Sequence, residues 1–101
     1  MTTTDTHRAV DAVWRIEAPR IIAGITRIVR DVGIAEELAQ DALVAALEQW
    51  PSSGIPNNPG AWLMTIAKRR AIDYFRRNQR VEREHEELGY ELESRQDDSA
   101  A

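Results

Sequence analysis

A run of basic side chains between Trp62 and Arg83 is the part of this sequence best suited to chemistry with a polyanion. The run holds seven Lys and Arg against two acids, a net charge of +5, whereas the whole 101-residue chain carries −4. On a helix that turns about 100° per residue, Thr65, Arg69, Arg76 and Arg80 share one face, which we call the basic ridge. Apolar side chains occupy the opposite face. The pattern predicts a polyanion-binding helix with an aromatic residue at its start, and its candidate binding residues are Trp62, Thr65, Lys68, Arg69, Arg70, Arg76, Arg77 and Arg80.

A solvated helix face held by ion pairs is the alternative interpretation of the same run. Asp73 lies four residues from both Arg69 and Arg77, a spacing at which opposite charges meet on a helix. Such pairs account for two arginines, not for seven cations. Composition alone leaves both interpretations open, because basic runs are often simply solvated.

Length and composition indicate one small domain without catalytic machinery. With 43% apolar residues the chain can bury a modest core. The sequence has no cysteine, which rules out disulfides and thiolate zinc sites. The two histidines, His7 and His85, fall in segments with little predicted order, so neither a catalytic triad nor a metal site is expected. We therefore predict no enzyme activity, no cofactor and no metal.

The N-terminus and the hydropathy pattern predict a cytoplasmic protein without membrane contact. The first residues, MTTTDTHR, lack the apolar core of a signal peptide. No apolar run approaches the roughly 18 residues that a membrane span requires.

Three apolar stripes with helical periodicity predict an all-α fold, a compact bundle of three long helices. The first stripe covers residues 9–32, and Pro19 within it predicts either a kink or two helices meeting at that point. Gly33 is placed to end this helix. The second stripe covers residues 34–50, and Pro51 is expected to stop it.

A loop of ten residues, 51–60, precedes the third helix. Asn58 is a suitable N-cap, and Pro59 suits the first helical position. Because ordered loops of this length often carry function, Asn57 and Asn58 are candidates for hydrogen bonds to an unstacked base. The third helix is expected to run from about Pro59 to Arg83 or beyond.

Charge and pattern together predict three segments. Residues 1–8 are expected to be a disordered N-terminus, residues 9–83 the helical domain, and residues 84–101 an acidic linker or tail. The last segment has one Arg against seven acids, a net charge of −6, which is typical of weakly structured chain.

Several short motifs in order resemble region 2 of bacterial RNA polymerase sigma factors, and most of all the extracytoplasmic-function group. The first motif is the acidic stretch AEELAQDALVAALEQW, the second is NPGAWL, and the third is TIAKRRAIDYFRR. The resemblance covers roughly residues 9–83. Several motifs in the right order are far more specific than one short motif.

The resemblance implies a domain that binds the RNA polymerase core and recognises and melts the promoter −10 element. In this family a helix like residues 34–50 docks on the coiled-coil clamp helices of the largest polymerase subunit. The resemblance also implies a regulator or a C-terminal extension as a further partner. The exposed residues that would make the polymerase contact, which we call the docking face, are Glu37, Gln40, Asp41 and Val44.

By the same resemblance, the third helix and the loop before it engage the non-template strand of the −10 element. The basic ridge would hold phosphates, giving salt-sensitive affinity, and a base would flip out of the stack into the loop. Trp62 is placed either to stack on an exposed base or to cover the core.

The sequence departs from the family pattern at Arg69, where the family usually has an asparagine that helps to hold an unpaired base. We expect more backbone affinity and less base reading there. No helix-turn-helix follows, so we interpret the chain as an isolated region 2.

Two alternatives stay open: a small helical regulator that reads duplex DNA in the major groove, and a pure protein-interaction module. The long loop and the long third helix argue against the first.

Overall fold

Three α-helices make up residues 3–100 of the protein. The computed structural model describes the backbone of residues 3–100 and the side chains of residues 4–89. Helix α1 spans Thr3–Val29, α2 spans Val32–Ser53 and α3 spans Pro59–Ala100. Each helix packs on the other two, and no strand occurs within residues 3–100. The prediction of an all-α bundle of three long helices is confirmed.

The three apolar stripes meet in one core. Trp50 is its largest side chain, only 1% exposed, and its ring meets that of Trp62 edge-on with the centroids 5.2 Å apart. Its indole Nε1 is buried without a hydrogen-bond partner among the described residues. The small side chains that let α2 and α3 approach closely are Ala35, Ala39, Ala42, Ala46, Ala67 and Ala71, all 0% exposed.

Helix α1 is continuous through Pro19 and begins earlier than the sequence indicated. The alternative of two helices meeting at Pro19 is wrong, because helix runs without interruption from Thr3 to Val29. The expectation of disorder over residues 1–8 is also wrong for residues 3–8, which are helical. Burial explains this extension, since Thr6 is only 3% exposed and Val10 belongs to the core.

The link between α1 and α2 turns at Arg30 rather than at Gly33. Arg30 has a left-handed φ of 58°, and its N–H donates to the Thr26 carbonyl at 2.7 Å. Asp31 then caps α2, because its carboxylate accepts from the N–H of Ile34 at 3.0 Å. The prediction that Gly33 ends the first helix is wrong, since the Asp31 cap places Gly33 inside the first turn of α2.

The loop between α2 and α3 is shorter than predicted. Helix α2 continues past Pro51 to Ser53, whose hydroxyl donates to the Gln49 carbonyl at 2.9 Å. It ends at Gly54, where a φ of 85° and a ψ of 160° favour glycine. The predicted cap of α3 is confirmed, because the Asn58 side-chain oxygen accepts from the N–H of Ala61 at 3.1 Å. Only residues 54–58 lie outside the two helices.

Helix α3 packs in the bundle over its first half and extends beyond it afterwards. Leu63 is 1% exposed and Tyr74 is half-buried, but every described side chain from Phe75 to Gly89 is exposed. Phe75, although apolar, is 39% exposed. The helix continues through residues 84–100, which were expected to fray, and this gives the molecule its length of 74 Å. The Glu, Leu, Arg and Gln residues of this segment favour helix.

Candidate nucleic-acid and polymerase interfaces

The basic ridge is open to solvent along its length. Thr65, Arg69, Arg76 and Arg80 are all exposed. Helical periodicity places these four residues on one face of α3, and neither α1 nor α2 covers that face. Towards its C-terminal end, Arg76, Arg80 and Arg83 line a shallow cleft of about 290 Å³ with Gln79. Three guanidinium groups around one concave surface form an anion-binding arrangement.

No carboxylate in the described side chains neutralises these cations. The two ion pairs among residues 4–89 both lie on α1, joining Arg15 to Asp11 at 3.1 Å and Arg20 to Glu17 at 3.9 Å. Asp73 makes no ion pair with Arg69 or Arg77 within this part of the chain, contrary to the ion-pair interpretation. Within residues 4–89 the arginines of the ridge are therefore exposed without a close ion pair.

Trp62 is shared between the core and the surface. Its ring is half-buried and meets Trp50 edge-on at an interplanar angle of 63°. The edge of the ring thus has a structural role at the start of α3. Stacking of a base on Trp62 stays a prediction, restricted to the part of the residue that remains accessible.

The loop carries two asparagine side chains that differ in how many of their polar atoms are available for hydrogen bonds. Asn57 is exposed, and within the described residues its side chain makes no hydrogen bond. The side-chain oxygen of Asn58 is used as the cap of α3, which leaves its NH₂ group to donate. The Thr65 hydroxyl already donates to the Ala61 carbonyl at 2.8 Å, so towards a ligand it can only accept.

A cleft of about 300 Å³ between α1 and the start of α3 was not expected from the sequence. Glu17 and Arg20 line it from α1, and Asn58, Gly60 and Met64 line it from the other side. The Glu17 side chain is only 21% exposed. A Cβ added at Gly60 would lie 2.6 Å from the Glu17 carboxyl carbon, so this glycine leaves room for the carboxylate at the helix N-terminus.

The docking face of α2 is exposed as the sequence predicted. Glu37, Gln40, Asp41 and Val44 are all accessible, and Val44 is 51% exposed. Leu38 and Ala42 of the same helix are buried. Helix α2 carries four acids and no basic residue, so its outward surface has the opposite charge to the ridge.

Arg70 does not lie with the ridge. It lines a cleft of about 210 Å³ together with Asp41, Val44 and Glu48 of α2. On the helix it is rotated by roughly 100° from Arg69. Arg70 is thus a predicted nucleic-acid-binding residue that the fold brings beside the docking face.

The described part of the chain shows neither a metal-binding cluster nor a membrane-spanning helix. No group of three or more His, Cys, Asp or Glu is placed to hold an ion. Nor does any described helix combine the length and apolarity that crossing a membrane requires.

Comparison with known proteins identifies the family. Residues 13–81 match the family described as Sigma-70 region 2. This segment contains α2, the loop and the part of α3 that packs in the bundle. The chain therefore belongs to the Sigma-70 region 2 family.

Curated relatives place it in the extracytoplasmic-function (ECF) group. The ECF RNA polymerase sigma factor SigK of Mycobacterium sp. (strain KMS) is 38% identical over 72 residues, covering 67% of this chain and 36% of the relative. The probable ECF RNA polymerase sigma factor SigI of Mycobacterium tuberculosis (strain ATCC 25618 / H37Rv) is 30% identical over 70 residues, covering 69% and 23%. The group predicted from the motifs is confirmed.

An uncharacterized protein of Rhizobium meliloti (strain 1021) is also similar, with 35% identity over 83 residues, covering 81% of this chain and 20% of the relative. The chain thus spans between 20% and 36% of the length of these three relatives. No solved structure matches it significantly.

Proposed function

We propose that this chain acts in transcription initiation, binding the RNA polymerase core through α2 and the promoter −10 element through α3 and the loop before it. The role is non-catalytic and belongs in the cytoplasm, where the polymerase works. Membership of the Sigma-70 region 2 family supports the class of function. The observation that carries the proposal is that α2 and α3 expose surfaces of opposite charge.

The polymerase contact is assigned to the docking face, Glu37, Gln40, Asp41 and Val44. Three of these side chains are polar and one is an exposed valine, a mixture suited to a protein surface that must also be stable in water. The clamp helices of the largest subunit are the proposed partner. Because α2 is uniformly acidic, it would repel a nucleic-acid backbone.

The promoter contact is assigned to the ridge, to the neighbouring cations Lys68 and Arg77, and to the loop. Among the described side chains the exposed arginines of the ridge have no ion-pair partner, so they can bind phosphates and release counterions. The exposed Asn57 amide and the Asn58 NH₂ group can hydrogen-bond a base that has left the stack. The cleft lined by Glu17 and Asn58 borders the last residue of this loop, and its volume of about 300 Å³ offers space for such a base.

A combined pull-down and strand-binding measurement tests the proposal. The chain is expected to retain bacterial core polymerase and to bind a non-template −10 single strand more tightly than the matching duplex. Tighter binding to duplex would favour the helical duplex-reading regulator. Polymerase binding without any strand binding would favour the pure protein-interaction module.

The loop length no longer separates these alternatives by itself. With five irregular residues rather than ten, the connection approaches the short turn of a duplex-reading motif. The 42-residue length of α3 and the family match still favour the sigma-factor role.

A further inference from the structure

We propose that Arg70 is part of the polymerase-docking surface, which therefore spans α2 and α3, and that Arg70 does not bind promoter phosphates. The proposal rests on the proposed function and changes the role of one residue that charge alone groups with the basic ridge. Two neighbouring arginines, Arg69 and Arg70, would then serve two different macromolecules.

The position of Arg70 is the first observation. Arg70 is exposed, and it lines one cleft with Asp41, Val44 and Glu48. Two of these three residues, Asp41 and Val44, belong to the docking face. The surface on α2 therefore continues across the helix boundary onto α3.

The local charge is the second observation. A phosphate close enough to Arg70 for an ion pair would also face the carboxylates of Asp41 and Glu48 across the cleft, and this repulsion offsets the attraction. Among the described residues, no carboxylate lines the cleft formed by Arg76, Gln79, Arg80 and Arg83. Phosphates are thus favoured along the ridge and disfavoured at Arg70.

Arg70 also forms no internal ion pair that would account for its position. Among the described side chains, no carboxylate lies within 4.0 Å of it, although Asp41 and Glu48 line the same cleft. The cleft therefore presents separate positive and negative groups around an exposed valine. Such a surface fits a protein segment that offers both a basic and an acidic side chain, because complementary charges fix the register of an interface.

The partner that this surface fits is the polymerase core rather than a nucleic acid. A nucleic-acid backbone is uniformly negative and cannot complement Asp41 and Glu48. A protein helix with mixed charges can pair with these acids and with Arg70 at once. The cleft is continuous with the face already assigned to polymerase binding, so one partner covers both.

The test compares Arg69→Ala with Arg70→Ala in the full 101-residue chain. Binding of core polymerase and binding of a non-template −10 strand are measured separately, the latter as a function of salt. Arg70→Ala is expected to weaken binding of the core about tenfold, as for an energetically important interface residue, with no change in the salt slope for the strand. Arg69→Ala is expected to reduce that slope by about 0.7 and to leave binding of the core unchanged.

The conservative variant Arg70→Lys separates charge from shape. It is expected to recover part of the core affinity lost in Arg70→Ala, because the positive charge facing the partner is restored. All three variants are exposed substitutions, so an unchanged melting temperature checks that they fold.

The outcomes separate this assignment from the proposed function. If the unmodified chain binds core and Arg70→Ala lowers only the salt slope for the strand, the assignment of Arg70 is overturned while the proposed function stands. If the unmodified chain does not bind core at all, the proposed function fails, and the assignment fails with it.

Discussion

The outward faces of α2 and α3 differ in almost every respect, although both helices bury alanine-rich faces in the same core. Helix α2 has acidic residues and no basic residue, whereas α3 exposes seven Lys and Arg residues between positions 68 and 83 against two acidic residues. The net charge of −4 is therefore a sum that hides one acidic surface and one basic surface. Net charge is a poor guide to partners when charge is segregated by face.

The difference also separates two kinds of binding. The ridge presents exposed charges, and the phosphate contacts proposed for it would act through counterion release, which does not depend on sequence. The docking face combines charges with an apolar side chain, and such a surface needs complementary shape. One small bundle can thus contact a protein and a nucleic acid at the same time, since neighbouring helices carry the two surfaces.

Removing the arginines of the ridge is expected to have the largest effect on strand binding. Replacing Arg69, Arg76 and Arg80 by alanine is expected to flatten the log–log salt dependence of −10 strand binding by roughly two units, at about 0.7 per contact. If the affinity at 1 M salt is unchanged, a slope change of two units corresponds to about a hundredfold loss of affinity at 0.1 M salt. Titration of a labelled strand at several salt concentrations measures both quantities.

A matched control holds the change in net charge constant. Arg8, Arg15 and Arg27 are exposed on α1, and replacing all three by alanine is expected to leave the slope nearly unchanged. Equal slopes for the two triple variants would mean that the ridge does not contact phosphates.

Altering the docking face tests the other half of the comparison. Gln40→Ala combined with Asp41→Lys reverses a local charge without touching a buried side chain, because both residues are exposed. We expect binding of core polymerase to weaken by roughly tenfold or more, since a misplaced charge costs on the order of a kcal/mol or more at a complementary interface, at an unchanged melting temperature.

The control for this pair is Glu86→Lys, an exposed charge reversal on the extended part of α3. It is expected to retain normal affinity for the core. If the paired variant and the control bind core equally well, the docking face is assigned to the wrong surface.

The contact between Glu17 and Gly60 links α1 to the start of α3. Gly60→Ala is expected to displace the Glu17 carboxylate and to lower the free energy of unfolding by about 0.3–1 kcal/mol, the value of an acid at a helix N-terminus. Because Glu17→Ala removes the same contact, the losses should not add. In the Glu17→Ala background, Gly60→Ala should instead stabilise the helix, as alanine usually does.

Urea denaturation of the two single variants and the double variant measures this coupling. Gly89→Ala is the matched control, because Gly89 has no atom within 4 Å of an added Cβ and should be stabilised by up to about 1 kcal/mol. Additive losses in the double variant would show that Gly60 has another role.

Truncation of the acidic end of α3 is expected to have the smallest effect. Deleting residues 86–101 removes six acids and one Arg, and it should strengthen strand binding by less than about threefold at low salt. The gain should disappear near physiological salt, where the Debye length is about 8 Å. Equal affinities at low salt would mean that this segment has no electrostatic influence on the ridge.

The sequence by itself determined the helices, their buried faces and the basic ridge. Each depends on side chains three or four residues apart, so a period of 3.6 is enough to predict them. The Asn58 cap was predictable for the same reason, because an N-cap bonds to its own helix within three residues. The family followed from several such local motifs in order.

Only the tertiary structure decided which helix Arg70 faces and where the helices begin and end. Arg70 lies beside Asp41 and Glu48 because α2 and α3 pack together, and no local spacing contains that contact. The burial of Thr6 extends α1 towards the N-terminus, and Asp31 displaces Gly33 from the helix end that glycine usually occupies. The Glu17 contact with Gly60 joins residues 43 positions apart. These features depend on long-range packing, which competes with local preference and here overrides it.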